Sequence, residues 1–292
     1  MSAGPTTPVR PRPPADAAPD RPPARAPRRR TWRLGEAVIP VFAALGFLYL
    51  LVPIFYTVAF SFNDAGKTNL VWRGFTLDAW RNPCGAPGVC DAFVSSIKLG
   101  IIATLLATAL GTFVALALAR YRFRGRTSAN LLIFLPMATP EVVLGAALLA
   151  QFLSLRVQPG FTTVLVAHVM FCLSFVVVTV KARIASLDPR LEEAAADLYA
   201  SSSQAFFRVT FPLLLPGIAA AALLSFSLSF DDYIITNFNS GSAFTTFPIF
   251  VYVSATRGIP PQANVIGSFM FLLSLLVVVS VQIVAAVRRR RR

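Results

Sequence analysis

Three carboxylates stand inside or at the ends of long apolar runs of this chain. Glu141 directly follows Pro140, and Asp231 and Asp232 end a run rich in serine and phenylalanine. Ionisable groups are costly at membrane depth and mark functional sites there. Carboxylates with aromatic rings beside them can bind an organic cation through charge and cation–π attraction. For Glu141 the alternative is a structural role, either pairing with Lys98 or capping a broken helix.

The spacing around the two aspartates sorts the neighbouring polar residues onto two helical faces. At about 3.6 residues per turn, Ser225, Ser229 and Asp232 share one face, and Ser227 shares another with Asp231. An aromatic stripe lies beside them: Phe226, Phe230 and Tyr233. These groups could line a substrate path, or the helix could end at the interface with its acids in headgroup water. The predicted path residues are Glu141, Ser229, Asp231, Asp232 and Tyr233.

The rest of the chain offers little for catalysis. His168 lies among apolar residues, where an interior hydrogen bond is the favoured interpretation over a ligand or proton-relay role. We find no metal-ligand spacing, no nucleophile elbow and no paired catalytic carboxylates in the sequence. Residues 66–68 resemble the end of a P-loop, but Ser61 stands where that motif requires its first glycine. We therefore predict no catalytic residue, no metal and no bound cofactor.

The composition indicates a polytopic membrane protein. Hydrophobic residues make up 55% of the 292 residues and charged residues only 14%, whereas soluble domains carry about 25% charged residues. The formal net charge is +14, but the basic residues cluster at the ends of apolar runs, which argues against nucleic-acid binding.

Six apolar runs are long enough to cross a bilayer whose hydrocarbon core is about 30 Å thick. We therefore predict an all-α fold with six transmembrane helices in a domain spanning residues 35–287. A disordered basic tail, residues 1–34, precedes this domain, and a basic terminus, residues 288–292, follows it. The two prolines of residues 136–140 should break or kink the third span. The predicted spans are 37–62, 92–119, 130–154, 161–181, 213–235 and 262–287.

The distribution of basic residues predicts the orientation. Of the 27 Lys and Arg residues, 21 would lie on one side of the membrane and six on the other. The positive-inside rule therefore places both termini in the cytoplasm of a multi-pass plasma-membrane protein. The larger group comprises the eight arginines of residues 10–33, the four of 120–126, Lys181, Arg183, Arg190, Arg208 and the five of 288–292; the smaller one comprises Lys67, Arg73, Arg81, Lys98, Arg156 and Arg257.

This orientation also separates the three cysteines. Cys84 and Cys90 bracket a Gly/Pro-rich segment outside the membrane, where a disulfide can persist. Two free thiols are the alternative. Cys172 lies inside the fourth span, and we expect it to be a small core residue.

A polar interruption between the fourth and fifth spans, residues 186–212, has the pattern of a helix–turn–helix; we name it the elbow. Asp188 can cap a helix whose first residue is Pro189. Ser201 and Gln204 form the pattern of a capping box that opens a second short helix. We expect Pro212 to end that helix before the next apolar run.

The elbow resembles the signature loop of binding-protein-dependent ABC importer permeases. That pattern is Glu-Ala-Ala, three residues, Gly, nine residues and Ile-x-Leu-Pro. Here Glu193-Ala194-Ala195 match its start and Val209-Thr210-Phe211-Pro212 are a conservative variant of its end. The resemblance covers most of residues 92–287 and is greatest to polyamine (spermidine/putrescine) permeases. It rests also on residues 140–145, 191–198 and 228–232.

The resemblance implies a type I ABC importer permease, which is a transport subunit and not an enzyme. Its partners would be a second permease subunit, two cytoplasmic ATPase subunits that use ATP and Mg²⁺, and an extracytoplasmic solute-binding protein. Alternatives are the same class of importer for iron, phosphonate or another small solute, or an ion-coupled secondary carrier. The implied ATPase-coupling residues are Glu192, Glu193, Ala194, Ala195, Asp197, Tyr199, Ala200 and Ser201.

Tyr199 occupies the position of the family's glycine. That glycine lies at the turn between the two short helices, where a left-handed backbone is convenient. A bulky residue there would cost about 1–2 kcal/mol. We therefore expect either ordinary backbone angles at this turn or a contact of Tyr199 that compensates for the strain.

Overall fold

The computed structural model describes residues 34–65, 69–188 and 190–290, and these residues form helices joined by short connections. The predicted tail up to residue 33, the helix start at Pro189, residues 66–68 and residues 291–292 lie outside the described residues. Within the described part, the extended pairing is a single isolated bridge between Asn63 and Phe75. The helices are α1 Leu34–Phe60, α2 Asp78–Arg81, α3 Val89–Arg120, α4 Arg126–Ala138, α5 Glu141–Ser154, α6 Phe161–Ala185, α7 Arg190–Asp197, α8 Ser202–Ala205, α9 Phe211–Asp231, α10 Ile234–Asn239, α11 Phe247–Arg257 and α12 Pro261–Arg290, with a π-helical turn at Phe206–Thr210 between α8 and α9.

In the part of the chain that the structure describes, five stretches of helix are long and apolar enough to cross a membrane, and α4 together with α5 makes a sixth if the bent pair counts as one span. The predicted all-α class with six spans is therefore confirmed. The predicted break in the third span is confirmed as well. The axes of α4 and α5 differ by 109°, and the break falls between Ala138 and Glu141, where Pro140 cannot donate a helical hydrogen bond.

Contacts divide the chain into two units, Met1–Val52 and Pro53–Arg292. The core of the second unit forms where α3, α6 and α9 pack against one another. Small residues allow this close approach, as is usual between membrane helices. A Cβ added to Gly111 of α3 would lie 2.6 Å from Cγ1 of Val176 on α6. The core side chains include Ala107, Ala115, Leu118, Ala167, Phe171, Cys172, Val176, Val177, Val180, Ala221 and Ile235.

The start of α3 is fixed by a covalent link. The structure pairs Cys84 with Cys90 as a disulfide, with their Cα atoms 5.3 Å apart. Because Cys90 lies in the first turn of α3, the disulfide attaches the preceding loop to this helix. Cys172 is a buried free thiol in the core, as predicted.

The C-terminal end of the fifth span differs from the prediction. The helix was expected to continue to about residue 235, but α9 ends at Asp231, and Asp232 has an extended backbone with φ −66° and ψ 124°. A short helix, α10, then packs against α5 and α6. The expected length was wrong because an apolar run does not reveal that Asp232 caps a new helix.

The close contact at Gly111 generates a prediction. Gly111→Ala should destabilise the purified protein by about 1–3 kcal/mol, since the added methyl group overlaps Val176 in a packed interface. Gly160→Ala is the matched control, because a Cβ there meets no atom within 4 Å. Thermal unfolding in detergent measures both; equal melting temperatures for the two variants would contradict the packing described here.

Candidate functional site

Asp232 stands at the corner where α9 ends and α10 begins. Its carboxylate accepts hydrogen bonds from the backbone N–H of Thr236 at 2.8 Å, from the Thr236 hydroxyl at 2.7 Å and from the N–H of Ile235 at 3.3 Å. These donors belong to the first turn of α10, whose N–H groups lack partners within the helix. Asp232 therefore holds the corner in place.

His168 of α6 joins the same network from the other side. Its Nδ1 lies 2.8 Å from the Ser229 hydroxyl, and its Nε2 lies 2.9 Å from the Thr236 hydroxyl and 3.3 Å from Asp232. The His168 side chain is 2% exposed and the Asp232 side chain 6%. The predicted interior hydrogen bond of His168 is confirmed, and the network ties α6, α9 and α10 together.

Asp231 has the opposite environment. Its side chain is exposed, as is that of Ser227, whereas Ser225 and Ser229 are buried. The two faces expected from the helical spacing are therefore present, and only one of them turns into the protein. The buried face belongs to the His168 network, and the exposed face presents the free carboxylate of Asp231.

Aromatic rings surround this end of α9. Phe226 and Phe230 stack with ring centroids 5.8 Å apart, as the predicted stripe requires. Tyr233 instead stacks on Tyr252 of α11, with centroids 4.4 Å apart and ring planes 30° apart. Tyr252 was missed in the sequence, because nothing in its local pattern indicates a contact with a residue 19 positions earlier.

Glu141 is the first residue of α5 and is exposed. A carboxylate in the first turn of a helix is stabilised by the helix dipole. Among the described residues no ion pair joins Glu141 to Lys98. The structure brings α5 close to α10, since the Asn239 side chain donates to the Gly145 carbonyl at 3.3 Å, but no described contact joins Glu141 to the aspartates.

The elbow begins as predicted. The N–H of Arg190 donates to Asp188 Oδ1 at 3.0 Å, so that Asp188 caps α7. Ser201 and Gln204 form the predicted capping box at α8, with hydrogen bonds of 3.0 and 3.3 Å. The two short helices and their turn are therefore present.

Pro212 does not end the second short helix, and that prediction was wrong. Residues 202–231 form a continuous helical stretch in which the turn Phe206–Thr210 is π-helical. The N–H of Phe211 donates to the carbonyl of Phe206, which is the wider hydrogen bond of a π-turn. Pro212 stands in the first turn of α9, where a proline without an N–H is tolerated.

The two neighbouring glutamates of the elbow point in different directions. Glu192 forms an ion pair with Arg120 at the end of α3 and accepts a hydrogen bond from the Thr210 hydroxyl. Glu193, the first residue of the family signature, is exposed, and no ion pair involves it in the described chain.

Tyr199 has a left-handed backbone, with φ +58°, and its side chain is 98% exposed. The N–H of Ala200 donates to the carbonyl of Ala195, and the N–H of Tyr199 donates to that of Ala196. This is the Schellman pattern of helix termination, which requires a left-handed residue at the position of Tyr199. The expectation of ordinary backbone angles was wrong, and no contact within the described chain covers the ring.

The remaining elbow residues form an outward surface. Leu198 is 82% exposed. Ala195 is the buried residue of α7, and Ala200 is half-buried. Groups of His, Cys, Asp and Glu that could hold a metal ion do not occur in the described ranges. Ala194, Asp197 and Ser201 are exposed as well.

The contrast between the two aspartates generates a prediction. Asp232→Ala should lower the stability by several kcal/mol, because each buried donor left without an acceptor costs about 1–3 kcal/mol. Asp231→Ala is the matched control and should change the stability by less than about 0.5 kcal/mol, as is typical of exposed sites. Thermal unfolding of the two purified variants tests this; a similar loss in both would contradict the buried network.

Comparison with known proteins identifies the family. Residues 107–292 match the family model described as "Binding-protein-dependent transport system inner membrane component". This match covers more than half of the chain.

Similar proteins of known name are permeases. The chain is 34% identical over 239 residues to the spermidine/putrescine transport system permease protein PotC of Escherichia coli (strain K12), which covers 82% of this chain and 90% of that protein. The PotC protein of Haemophilus influenzae is 35% identical over 238 residues, with 82% and 92% covered. The putrescine transport system permease protein PotI of Escherichia coli (strain K12) is 34% identical over 249 residues, with 83% and 86% covered.

Solved structures share the fold. A bacterial ABC transporter that imports the acidic polysaccharide alginate superposes with a TM-score of 0.61 at 18% identity, covering 87% of this chain and 96% of that chain. An amino acid ABC transporter superposes with a TM-score of 0.54 at 21% identity, covering 69% and 94%. The chain therefore belongs to the binding-protein-dependent transport system inner membrane components, as a multi-pass permease subunit of an ABC importer and not an enzyme.

Proposed function

We propose that this chain is one of two permease subunits of an ATP-driven importer that moves linear polyamines, such as spermidine and putrescine, into the cytoplasm. A binding protein on the outer side delivers the solute, and two ATPase subunits dock on the cytoplasmic elbow. The observation that carries the proposal is the exposed carboxylate of Asp231 at the end of α9, among aromatic rings.

The chemistry around Asp231 suits an organic polycation. A protonated amine can donate a charge-assisted hydrogen bond to the carboxylate. Tyr233, two residues further along the chain, and Tyr252 stacked on it offer ring faces for cation–π attraction. Asp232 and Ser229 contribute by holding the corner of α9 rigid, and Glu141 adds a second exposed carboxylate. The similarity to permeases named for spermidine and putrescine supports the same class of cargo.

The elbow suits a cytoplasmic docking role. An exposed tyrosine held at positive φ is unfavourable in the isolated chain and needs a compensating contact elsewhere. Tyr199, Leu198 and Glu193 together offer an aromatic ring, an apolar side chain and a free carboxylate on one short segment. An ATPase groove that covers Tyr199 would supply that contact.

The sidedness and the partners follow from the same assignment. The excess of basic residues on the side of the elbow supports a cytoplasmic position for the elbow and for both termini. ATP and Mg²⁺ then belong to the partner ATPase, and this chain needs no cofactor of its own.

Copurification tests the assembly and the cargo together. Solubilised membranes should yield this subunit with a second permease and an ATPase, and the associated binding protein should contain spermidine or putrescine by mass spectrometry. If the binding protein held iron, a phosphonate or another solute instead, the polyamine proposal would be wrong, but the assignment as an ABC importer would stand. Uptake by the purified subunit alone under an ion gradient would instead establish a secondary carrier.

Replacement of Asp231 should impair transport. In the reconstituted complex, Asp231→Asn should lower spermidine uptake at limiting concentration about 10- to 100-fold, since a charged hydrogen bond contributes about 1.5–3 kcal/mol. ATPase association should be unchanged. Asp231→Glu is the control that keeps the charge and should retain most of the uptake; normal uptake by the Asn variant would exclude the proposed role.

Replacement of Tyr199 separates strain from docking. Tyr199→Gly should relieve about 1–2 kcal/mol of backbone strain in the isolated subunit, measured as a higher melting temperature. In the complex the same variant should weaken ATPase binding, because the ring is lost, whereas Tyr199→Phe should retain it. A glycine variant that binds the ATPase as tightly as the original chain would contradict the docking role of the ring.

A further inference from the structure

The carboxylate of Glu192 lies where three elements of the second unit meet. One of its oxygens, Oε1, accepts a hydrogen bond from the guanidinium of Arg120 at the end of α3. The same oxygen accepts a second one from the hydroxyl of Thr210 in the π-helical turn before α9. Glu192 itself belongs to α7 of the elbow. A single side chain therefore joins α7 to the end of α3 and to the turn that leads into α9, and we name this arrangement the Glu192 junction.

A second contact strengthens the same connection. The guanidinium carbon of Arg120 lies 5.3 Å from the centre of the Phe206 ring, which begins the π-helical turn. Arg120 thus holds both ends of that turn, Phe206 directly and Thr210 through Glu192. The guanidinium of Arg120 thus pairs with a carboxylate and lies over an aromatic ring at the same time, which is a favourable arrangement for an arginine.

The surroundings favour a persistent contact over a transient surface pair. Thr210 is buried, and the Arg120 and Glu192 side chains are 36% and 44% exposed. Apolar side chains line the pocket of about 180 Å³ around them, among them Leu116, Ile184 and Leu213. Because the ion pair is partly buried, solvent and salt screen it less than they would screen a fully exposed pair.

The π-helical turn bears on how movement can pass into α9. Such turns replace ordinary helical hydrogen bonds by wider ones and are frequent at functional sites. Here the turn stands between α8 and α9, and Pro212, which has no backbone donor, follows it in the first turn of α9. The backbone hydrogen bonding of the helical stretch is therefore weakest at the place where the side chains of the Glu192 junction contact it.

We propose that Glu192 is a positioning residue that transmits movement of the elbow to α3 and α9 together, while the adjacent Glu193 faces the ATPase. This inference rests on the proposed function. Without the junction, α7 would act on α9 through the chain connection alone, and its direct link to α3 would be lost. ATP hydrolysis would then continue with little transport.

A charge exchange tests the contact itself. Arg120→Glu and Glu192→Arg should each lower the melting temperature of the purified subunit, and the double variant should recover most of the loss. Thr210→Val, which removes only the hydroxyl, should lower it by a smaller amount. Losses that simply add in the double variant would overturn the junction, and this readout does not depend on any transport activity.

The ratio of transport to hydrolysis tests the role. In the reconstituted complex, each single charge variant should bind the ATPase normally, hydrolyse ATP, and import at least tenfold less spermidine per ATP, with the double variant restored. Glu193→Gln is the matched control and should reduce ATPase binding. An unchanged ratio in the single variants would overturn the positioning role, whereas a complex of the original chain that imports no polyamine would refute only the proposed cargo.

Discussion

Taking a carboxylate out of water costs several kcal/mol unless protein groups replace the lost hydrogen bonds, and the end of α9 meets this constraint in two ways. Asp232 is buried and receives donors from Thr236 and Ile235 beside His168. Asp231, the preceding residue, stays exposed. Because the buried carboxylate fixes the corner between α9 and α10, it also fixes where the exposed one stands. The position of the exposed aspartate therefore depends on the contacts of the buried one.

At the elbow, two adjacent glutamates differ in the same way. Glu192 contacts Arg120 and Thr210, whereas Glu193 is exposed. Residues adjacent in a helix point about 100° apart, so one faces the spans while the next faces outward. The close packing of α3, α6 and α9, made possible by residues such as Gly111, connects the two ends. A movement of the elbow can thus reach the corner at Asp232 through packed helices instead of through flexible loops.

Much of this organisation was predictable from the sequence. The six apolar runs, the break before Pro140, the cap at Asp188 and the two faces of the fifth span all follow from local patterns. The stacking of Tyr233 on Tyr252 and the pairing of Arg120 with Glu192 do not, because each joins residues whose proximity only the tertiary fold determines. The backbone conformation of Tyr199 was not predicted for another reason. The end of α7 requires a left-handed residue at this position whatever its side chain, so the tyrosine adopts a positive φ.

The central claim is that this chain conducts polyamines only as part of an ATP-driven complex. The most direct measurement is the accumulation of radiolabelled spermidine in proteoliposomes that contain the copurified permeases and ATPase, with the binding protein added outside and ATP enclosed. The account predicts uptake that requires both ATP and the binding protein and that unlabelled putrescine suppresses. Uptake that persists without ATP, or that no polyamine suppresses, would contradict it.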